Sequence, residues 1–317
     1  MDYSIYISLY PEIHQSYLAV MEYTIFGCNN PSGEFFRELV AMAPIEIWGR
    51  KKPSDPSVRF VDCDLTKGLP RPLDDLKGLV VSFAPIWLLS DFLTRISIEQ
   101  PEKLRELKGI VAISSSSFLT KRFAFSTYDK SLAFSIHKAQ EDIIKLSRFL
   151  GIDCQILAPT LVYGCKNSHR DRNISKIITI LRRLPIVVLP KGTGLRQPIH
   201  ASQLARVAHI KAKKMLSGEW TSSEPYVLPL GGDEILSYAQ MLKKIKYSLP
   251  HNDRGRRCMI IEIPDRVFLL IVSFILPYNT RLFEAIMRMK SDLAGFSKTS
   301  DLLACQHEDF PVLPLPF

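Results

Sequence analysis

Short apolar runs alternate with amphipathic stretches along the first half of the chain. Residues 23–26 read YTIF and stop at Gly27, and similar runs occupy 45–48, 58–61, 79–83, 109–113 and 154–157. Each is four or five residues long, the length of a strand and too short for a helix. Between them, apolar positions at helical spacing predict helices over 34–42 and 134–150. Strands alternating with helices imply βαβ units and a parallel sheet. The largely apolar character of the strands, continuous over 109–113, agrees, because a parallel sheet is covered on both faces. After Pro159 the pattern loosens, and short strands and helices mix with proline-containing loops. The reading is an α/β chain: a Rossmann-type doubly wound parallel sheet over 21–160, and a smaller mixed α/β C-terminal lobe over 161–317 interleaved with the first domain. Residues 1–20 are read as an N-terminal extension, either disordered or produced by an upstream start codon.

Composition narrows the classes. Apolar residues make up 46% of the 317 and charged residues 23%, which supports a packed core and excludes wholesale disorder. The formal net charge is +9, and such an excess attracts anions. Nucleic acid, an anionic membrane surface and phosphorylated small molecules would all respond. The basic residues are dispersed (50–52, 182–183, 211–214, 254–257) with no aromatic-interleaved motif, so nucleic acid is not expected as a partner. The six cysteines form no C-x-x-C pair or Cys/His cluster. Neither a metal site nor a disulfide framework is expected, and reduced thiols point to the cytoplasm. No signal-peptide pattern is present. The most apolar run, VFLLIVSFIL over 267–276, is too short to span a bilayer, which takes about 20 residues. It is read as a buried helix, with a membrane-surface helix as the alternative.

Chemistry concentrates at strand ends. Gly27-Cys28-Asn29-Asn30-Pro31-Ser32-Gly33 stands where the first strand turns into a helix. A dinucleotide fold needs small residues there, because the backbone approaches a pyrophosphate and the helix N-terminus offers N–H donors. Asn30 takes the middle glycine position, and asparagine tolerates a left-handed backbone better than most residues. Trp48-Gly49-Arg50-Lys51-Lys52 closes the second strand. An acid there would take the ribose 2′-hydroxyl of NAD, whereas an arginine accommodates the 2′-phosphate of NADP, so Arg50 leans the reading to NADP over NAD.

With Asp62-Cys63-Asp64-Leu65-Thr66 after the third strand, the chain resembles the extended short-chain dehydrogenase/reductase superfamily, in particular bacterial and cyanobacterial nucleoside-diphosphate-sugar epimerase-like proteins. Asp64 and Leu65 match the family's Asp-Leu beside the adenine, and Gly27 and Gly33 match its nucleotide turn. Ser82-Phe83-Ala84-Pro85 stands where its fourth strand meets the cofactor, and Ser114 to Ser117 look like its serine-rich fifth strand end. Ala158-Pro159-Thr160-Leu161-Val162-Tyr163-Gly164 is similar to its R-P-T-x-x-Y-G turn. Gly194-Leu195-Arg196-Gln197-Pro198-Ile199-His200-Ala201 is similar to its G-L-R-Q-P-x-H-A segment. The likeness runs over about residues 22 to 310.

The resemblance implies an NAD(P)-dependent epimerase, dehydratase or reductase, with the C-terminal lobe holding a nucleotide sugar or related substrate. It also implies a Tyr-x-x-x-Lys pair, tyrosine as acid/base and lysine on the nicotinamide ribose. Lys138 fits the lysine, but Phe134 occupies the tyrosine position, and a phenyl ring transfers no proton. Tyr128, Thr120, Lys121 and His137 are the candidate replacements, with Tyr128 foremost. Ser116 would bind a substrate hydroxyl, Arg196 a substrate diphosphate, and Asn173 would face the same substrate. His200 reads as a packed histidine. The alternative function is a non-catalytic NADP-binding sensor or assembly factor that has lost its acid/base. No membrane span is expected, and a homodimer is left open.

Overall fold

The structure, a computed structural model, describes residues 23–53, 55, 58–121, 126–221, 223–274, 283, 286–313 and 315. The predicted extension over 1–20 lies outside them. In chain order the elements of the first half are β1 (Tyr23–Phe26), α1 (Pro31–Leu39), β2 (Ile45–Gly49), β3 (Arg59–Asp62), β4 (Gly78–Ser82), α2 (Ile86–Glu99), β5 (Leu107–Ile113), α3 (Phe118–Lys121), α4 (Thr127–Leu150) and β6 (Asp153–Pro159). There follow β7 (Val162–Tyr163), β8 (Cys165–Lys166), β9 (His169–Arg170), α5 (Asn173–Arg183), β10 (Ile186–Pro190), β11 (Leu195–Arg196), β12 (Ile199–His200) and α6 (Ala201–Leu216). The chain continues through β13 (Val227–Gly231), β14 (Leu236–Ser237), α7 (Tyr238–Ser248), β15 (Met259–Ile263), α8 (Asp265–Ser273), β16 (Ser297–Lys298) and α9 (Thr299–Leu303).

The main sheet has eight strands in the order β16-β13-β6-β5-β4-β1-β2-β3. The β3–β2, β2–β1, β1–β4, β4–β5 and β13–β16 pairs are parallel. The order reverses between β1 and β4, the position at which open α/β sheets form a crevice beyond their strand ends. All of β1 and β4 is buried, as expected of central strands covered on both faces. This is the Rossmann-type α/β architecture that the pattern of apolar runs predicts, and all six predicted strands occur within a residue or two of their expected positions.

The chain divides into two compact units. The first holds the described residues through Ile113, with Ala139–Ile156 and Ala208–Val227; the second holds Ser114–Lys138, Leu157–Val207 and the described residues from Leu228. In the first, aromatic rings fill the core around β1: Phe26 meets Trp48 and Phe92, and Tyr23 meets Phe36 edge-on. The second has its own core, in which Ile174, Ile178 and Leu181 of α5 pack with Met241, Leu242 and Ile245 of α7.

Two helices differ from expectation. The helix predicted over 134–150 starts at Thr127. Its added N-terminal turns carry no continuous apolar stripe. They are held by charge instead: Asp129, in the first turn, accepts from Arg288 at 2.7 Å and lies 3.8 Å from Lys121, and a carboxylate is favourable at a helix N-terminus. The apolar run predicted as a buried helix does form α8, but only Phe268 and Val272 of it are buried. Residues 275 and 276 of that run lie outside the described residues. No helix among the described residues is long and apolar enough to cross a membrane.

Gln197 organises the second unit. Its side chain is fully buried and uses all four hydrogen-bonding positions of its amide. Nε2 donates to the carbonyls of Gly232 (2.7 Å) and Phe296 (3.1 Å), and Oε1 accepts from the N–H groups of Gly295 (3.1 Å) and Phe296 (3.0 Å). Gln197→Leu keeps the bulk and strands these backbone groups without partners. At about 1–3 kcal/mol for a buried unsatisfied group, chemical denaturation should show a loss of at least about 3 kcal/mol. A loss under about 1 kcal/mol would mean that water reaches the site.

Candidate functional site

The turn at the end of β1 lies in the first unit. Phe26 and Ser82 are register partners, and the Phe83 N–H continues the ladder to the Phe26 carbonyl. Gly27 follows with φ +76°, and a Cβ there would stand 2.5 Å from the Ala84 nitrogen. Glycine is required twice over, by the left-handed backbone and by the approach to the loop after β4. Gly33 meets the same turn from the helix side: a Cβ would lie 2.7 Å from the Gly27 carbonyl oxygen. These are the turn and packing roles that the first and third glycines of a dinucleotide turn perform.

Asn30 has a different role from the glycine it replaces. Its backbone is extended (φ −140°), and it caps α1 by accepting from the Gly33 N–H at 3.0 Å. Its amide donates to the carbonyls of Gly27 (2.7 Å) and Phe83 (3.2 Å). The side chain thus rivets the turn to the loop after β4. One consequence concerns anions. Pro31 has no N–H, and the Gly33 N–H is given to Asn30, so of the first three helical positions only Ser32 keeps an N–H without a partner among the described residues. Glu34 adds a carboxylate to this turn, tied to Arg37 at 3.1 Å. Burial pushes the Cys28 thiol up to about 12, with Glu34 adding to the effect.

The ends of β2 and β3 are joined by the Cys63 N–H on the Gly49 carbonyl at 3.0 Å. Beyond this link stand Arg50, exposed, and Asp64 and Leu65, both half-buried. The Asp64 carboxylate accepts from the Thr66 hydroxyl (2.7 Å) and N–H (3.1 Å). The Thr66 hydroxyl holds it below the usual carboxylate range, with Arg50 a lesser contributor. Asp64 therefore shapes its own loop, and Arg50 sets the local sign as positive.

The remaining predicted residues lie in the second unit. Lys138 and Phe134 sit one turn apart on α4, both exposed, Phe134 at 68%. Tyr128 is exposed at 59%. Of the other replacement candidates, Thr120 donates to the Ser117 carbonyl at 3.2 Å, His137 stacks on Phe118, and burial lowers the pKa of Lys121. Ser116 is buried, and its hydroxyl donates to the Pro159 carbonyl at 3.0 Å. The half-buried pair Ser115 and Ser117 is linked hydroxyl to hydroxyl at 2.8 Å. Asn173 is exposed at the start of α5.

Arg196 clamps the chain. Nη1 donates to the carbonyls of Leu195 (2.7 Å) and Ser291, Nη2 donates to that of Arg288 (2.7 Å), and the guanidinium lies 5.6 Å from the centre of the Tyr238 ring. The two motifs of the family-like second half pair with each other, β7 with β12, so that Tyr163 is the partner of His200. Tyr163 meets the His200 ring edge-on at 5.2 Å and accepts from the Val312 N–H at 2.8 Å. Gly164, at φ +120°, leaves room for the same imidazole, whose Nδ1 is 2.7 Å from the Ser202 hydroxyl. Three features were not anticipated from the sequence: the Asn30 rivet, the Gln197 hub and the Arg288–Asp129 pair. Only the first carried a signal, since Asn-Pro before an apolar run is a helix-start pattern.

No protein-family model and no curated protein sequence matches the chain. Solved structures do match. Epimerase Mth375 from Methanothermobacter thermautotrophicus aligns at a TM-score of 0.58 and 11% identity, over 95% of this chain and 92% of its own. MoeE5, in complex with UDP-glucose and NAD, aligns at 0.57 and 16%, over 92% and 94%. The chain shares the fold of these proteins. The same fold serves the terminal R domain of the myxalamid PKS-NRPS pathway, which aligns at 0.60 and 11%, over 93% and 87%, so the chemistry has to be argued from residues.

Gly27→Ala tests the turn. A left-handed alanine costs about 1–2 kcal/mol, and moving backbone out of the way of its Cβ adds about 1–3 kcal/mol. Denaturant unfolding should therefore report a loss of at least about 2 kcal/mol. A neutral substitution would mean that the turn is looser than described.

Proposed function

We propose that the chain binds a nicotinamide dinucleotide on the β1–α1 turn, and that it is a protein of the NAD(P)-dependent epimerase, dehydratase or reductase type for a nucleotide sugar or related substrate. The observation that carries this reading is the turn itself. Gly27 and Gly33 bring strand, helix and the loop after β4 into backbone contact at the reversal of strand order, where such sheets bind ligands. The residues present fit the group. The Ser32 N–H at the start of α1 is a donor for a pyrophosphate oxygen, Asp64 and Leu65 border the adenine side, and Arg50 is a cation for a 2′-phosphate, which favours NADP. When bound, the nicotinamide supplies a hydride acceptor or donor. Lys138 would hold its ribose. The Arg196 clamp leaves part of its guanidinium for a diphosphate, and Asn173 with the half-buried Ser115 and Ser117 would supply polar contacts for a sugar, whereas Ser116 is buried with its hydroxyl on the Pro159 carbonyl.

A second reading rests on Phe134. Epimerase and reductase chemistry at a carbinol carbon needs a group that exchanges a proton with the substrate oxygen, and a phenyl ring has none. In this reading the protein keeps the cofactor as a sensor or assembly factor and turns nothing over.

Titration calorimetry with NAD, NADH, NADP and NADPH tests binding. Saturable heat with at least one is expected, and silence from all four up to about the millimolar range refutes the proposal. Arg50→Ala should weaken NADP by about tenfold to a hundredfold, the worth of a charged hydrogen bond, and leave NAD unchanged. Equal losses for both would assign Arg50 to the fold.

Phe134→Tyr separates the readings. Its exposure makes the added hydroxyl sterically free, and a placed acid/base is worth about 10² to 10⁴ in rate. With a panel of UDP- and GDP-sugars and the cofactor that binds, the native protein should be slow and the variant faster. Robust native turnover, unchanged in Phe134→Tyr and lost in Tyr128→Phe, would place the acid/base on Tyr128 and remove the binder reading.

A further inference from the structure

A second surface of the chain is independent of the dinucleotide reading. Strands β10 and β15 form a two-stranded parallel ribbon in which Ile186 pairs with Met259 and Val188 with Ile261. Val187, Leu189 and Ile260 turn inward onto the core of the second unit. Strand alternation therefore sends Ile186, Val188, Met259 and Ile261 to the opposite face, and all four are exposed, Met259 at 56%. Helix α8 follows directly and touches β10. It buries Phe268 and Val272 and exposes Val267, Leu270, Ile271 and the adjoining Phe274, the last at 71%. These four recur at i, i+3, i+4 and i+7, a complete amphipathic stripe that faces solvent. A helix apolar all round is expected to be covered, and exposed apolar surface of this extent marks an interaction site.

Charge selects what covers it. Arg183 and Arg257 flank the starts of the two strands, Lys191 follows the end of β10, and Arg266 lies in the first turn of α8. All four are exposed, and none makes an ion pair among the described residues. The acids in the same segments are each neutralised: Asp253 by Arg182 at 2.6 Å, Glu262 by Lys243 at 2.6 Å and Asp265 by Lys290 at 2.5 Å. The apolar surface thus has a positive rim. A nucleic acid would leave the apolar side chains uncovered. A second copy seated face to face would bring cationic rim against cationic rim. An anionic bilayer takes both parts, apolar side chains at the acyl boundary and cations at the headgroups.

We propose that the face formed by β10, β15 and α8 docks the protein on an anionic lipid surface without crossing it. The test is co-sedimentation of the full chain with vesicles of phosphatidylcholine alone or with added phosphatidylserine. Binding is expected with phosphatidylserine, weak with phosphatidylcholine, and reduced by high salt. The paired substitutions Arg257→Ala and Arg266→Ala should lower the partition coefficient by roughly 25-fold, about fivefold for each cation lost near the surface. Leu270→Glu with Phe274→Glu, both at exposed positions, should abolish it while leaving the circular dichroism and thermal melt unchanged. Three results would overturn the proposal: no sedimentation with either vesicle; equal sedimentation with both; or a concentration-dependent dimer, seen by analytical ultracentrifugation, that the Leu270→Glu, Phe274→Glu variant dissolves. The last would assign the face to a second copy of the chain.

Discussion

The first unit depends on how closely the turn after β1 approaches the loop after β4. Backbone meets backbone there, with room for a hydrogen and not for a methyl at Gly27. That approach holds the ends of the two strands at which the sheet order reverses, and it sets where α1 begins. Asn30 makes it permanent, because one amide joins Gly27, Gly33 and Phe83. The same amide occupies a donor that a glycine would have left open. Rigidity and anion affinity are in competition at this position, and here the side chain favours rigidity. Among the described residues, the open N–H that remains at the start of α1 is that of Ser32.

The second unit meets its constraint through a polar group. Gln197 lies beside Gly231, where a Cβ would overlap its side chain at 2.3 Å, and its amide gathers backbone from 232 and 295–296. Tyr163, Gly164 and His200 form a comparable knot between β7 and β12. These residues belong to the two segments that most resemble epimerase sequences, and their roles are in packing. The likeness they carry therefore speaks to the shape of the chain. Arg196 belongs with them, since its guanidinium donates to the backbone carbonyls of Leu195, Arg288 and Ser291.

Six of the eight strands of the sheet were legible from short, mostly apolar runs, most plainly β4 and β5, because a central parallel strand is covered on both faces; β13 and β16 were not anticipated. The turn glycines were legible for a related reason: close backbone approach excludes every side chain. The start of α4 was not, because Asp129 is held by Arg288, 159 positions away in sequence, and no local pattern announces such a pair. The exposure of α8 was missed for the opposite reason. An all-apolar helix is ordinarily buried, and periodicity does not distinguish a stripe that faces a core from one that faces outward. The role of Arg196 was ambiguous in the sequence, since a guanidinium fork suits a phosphate and a set of carbonyls equally.

The exchange of tyrosine for Phe134 bears on the two functional readings unequally. In the proposed arrangement Lys138 has two tasks, to hold a ribose and to lower the pKa of a phenol. The second disappears with the hydroxyl, whereas the first needs only the ammonium and the turn of helix that carries it. Cofactor binding can therefore survive the exchange intact while proton transfer cannot. Nor does packing account for the phenylalanine. Phe134 is more than two-thirds exposed, so its ring contributes little to a core and a phenol would fit as well. Fold stability leaves position 134 free, and the difference between the two rings falls on chemistry alone. An active enzyme would have to move its acid/base to another side chain of the same unit. Among the candidate replacements Tyr128 carries the same ionisable group as the missing tyrosine, a phenol, and carries it at an exposed position of the same helix.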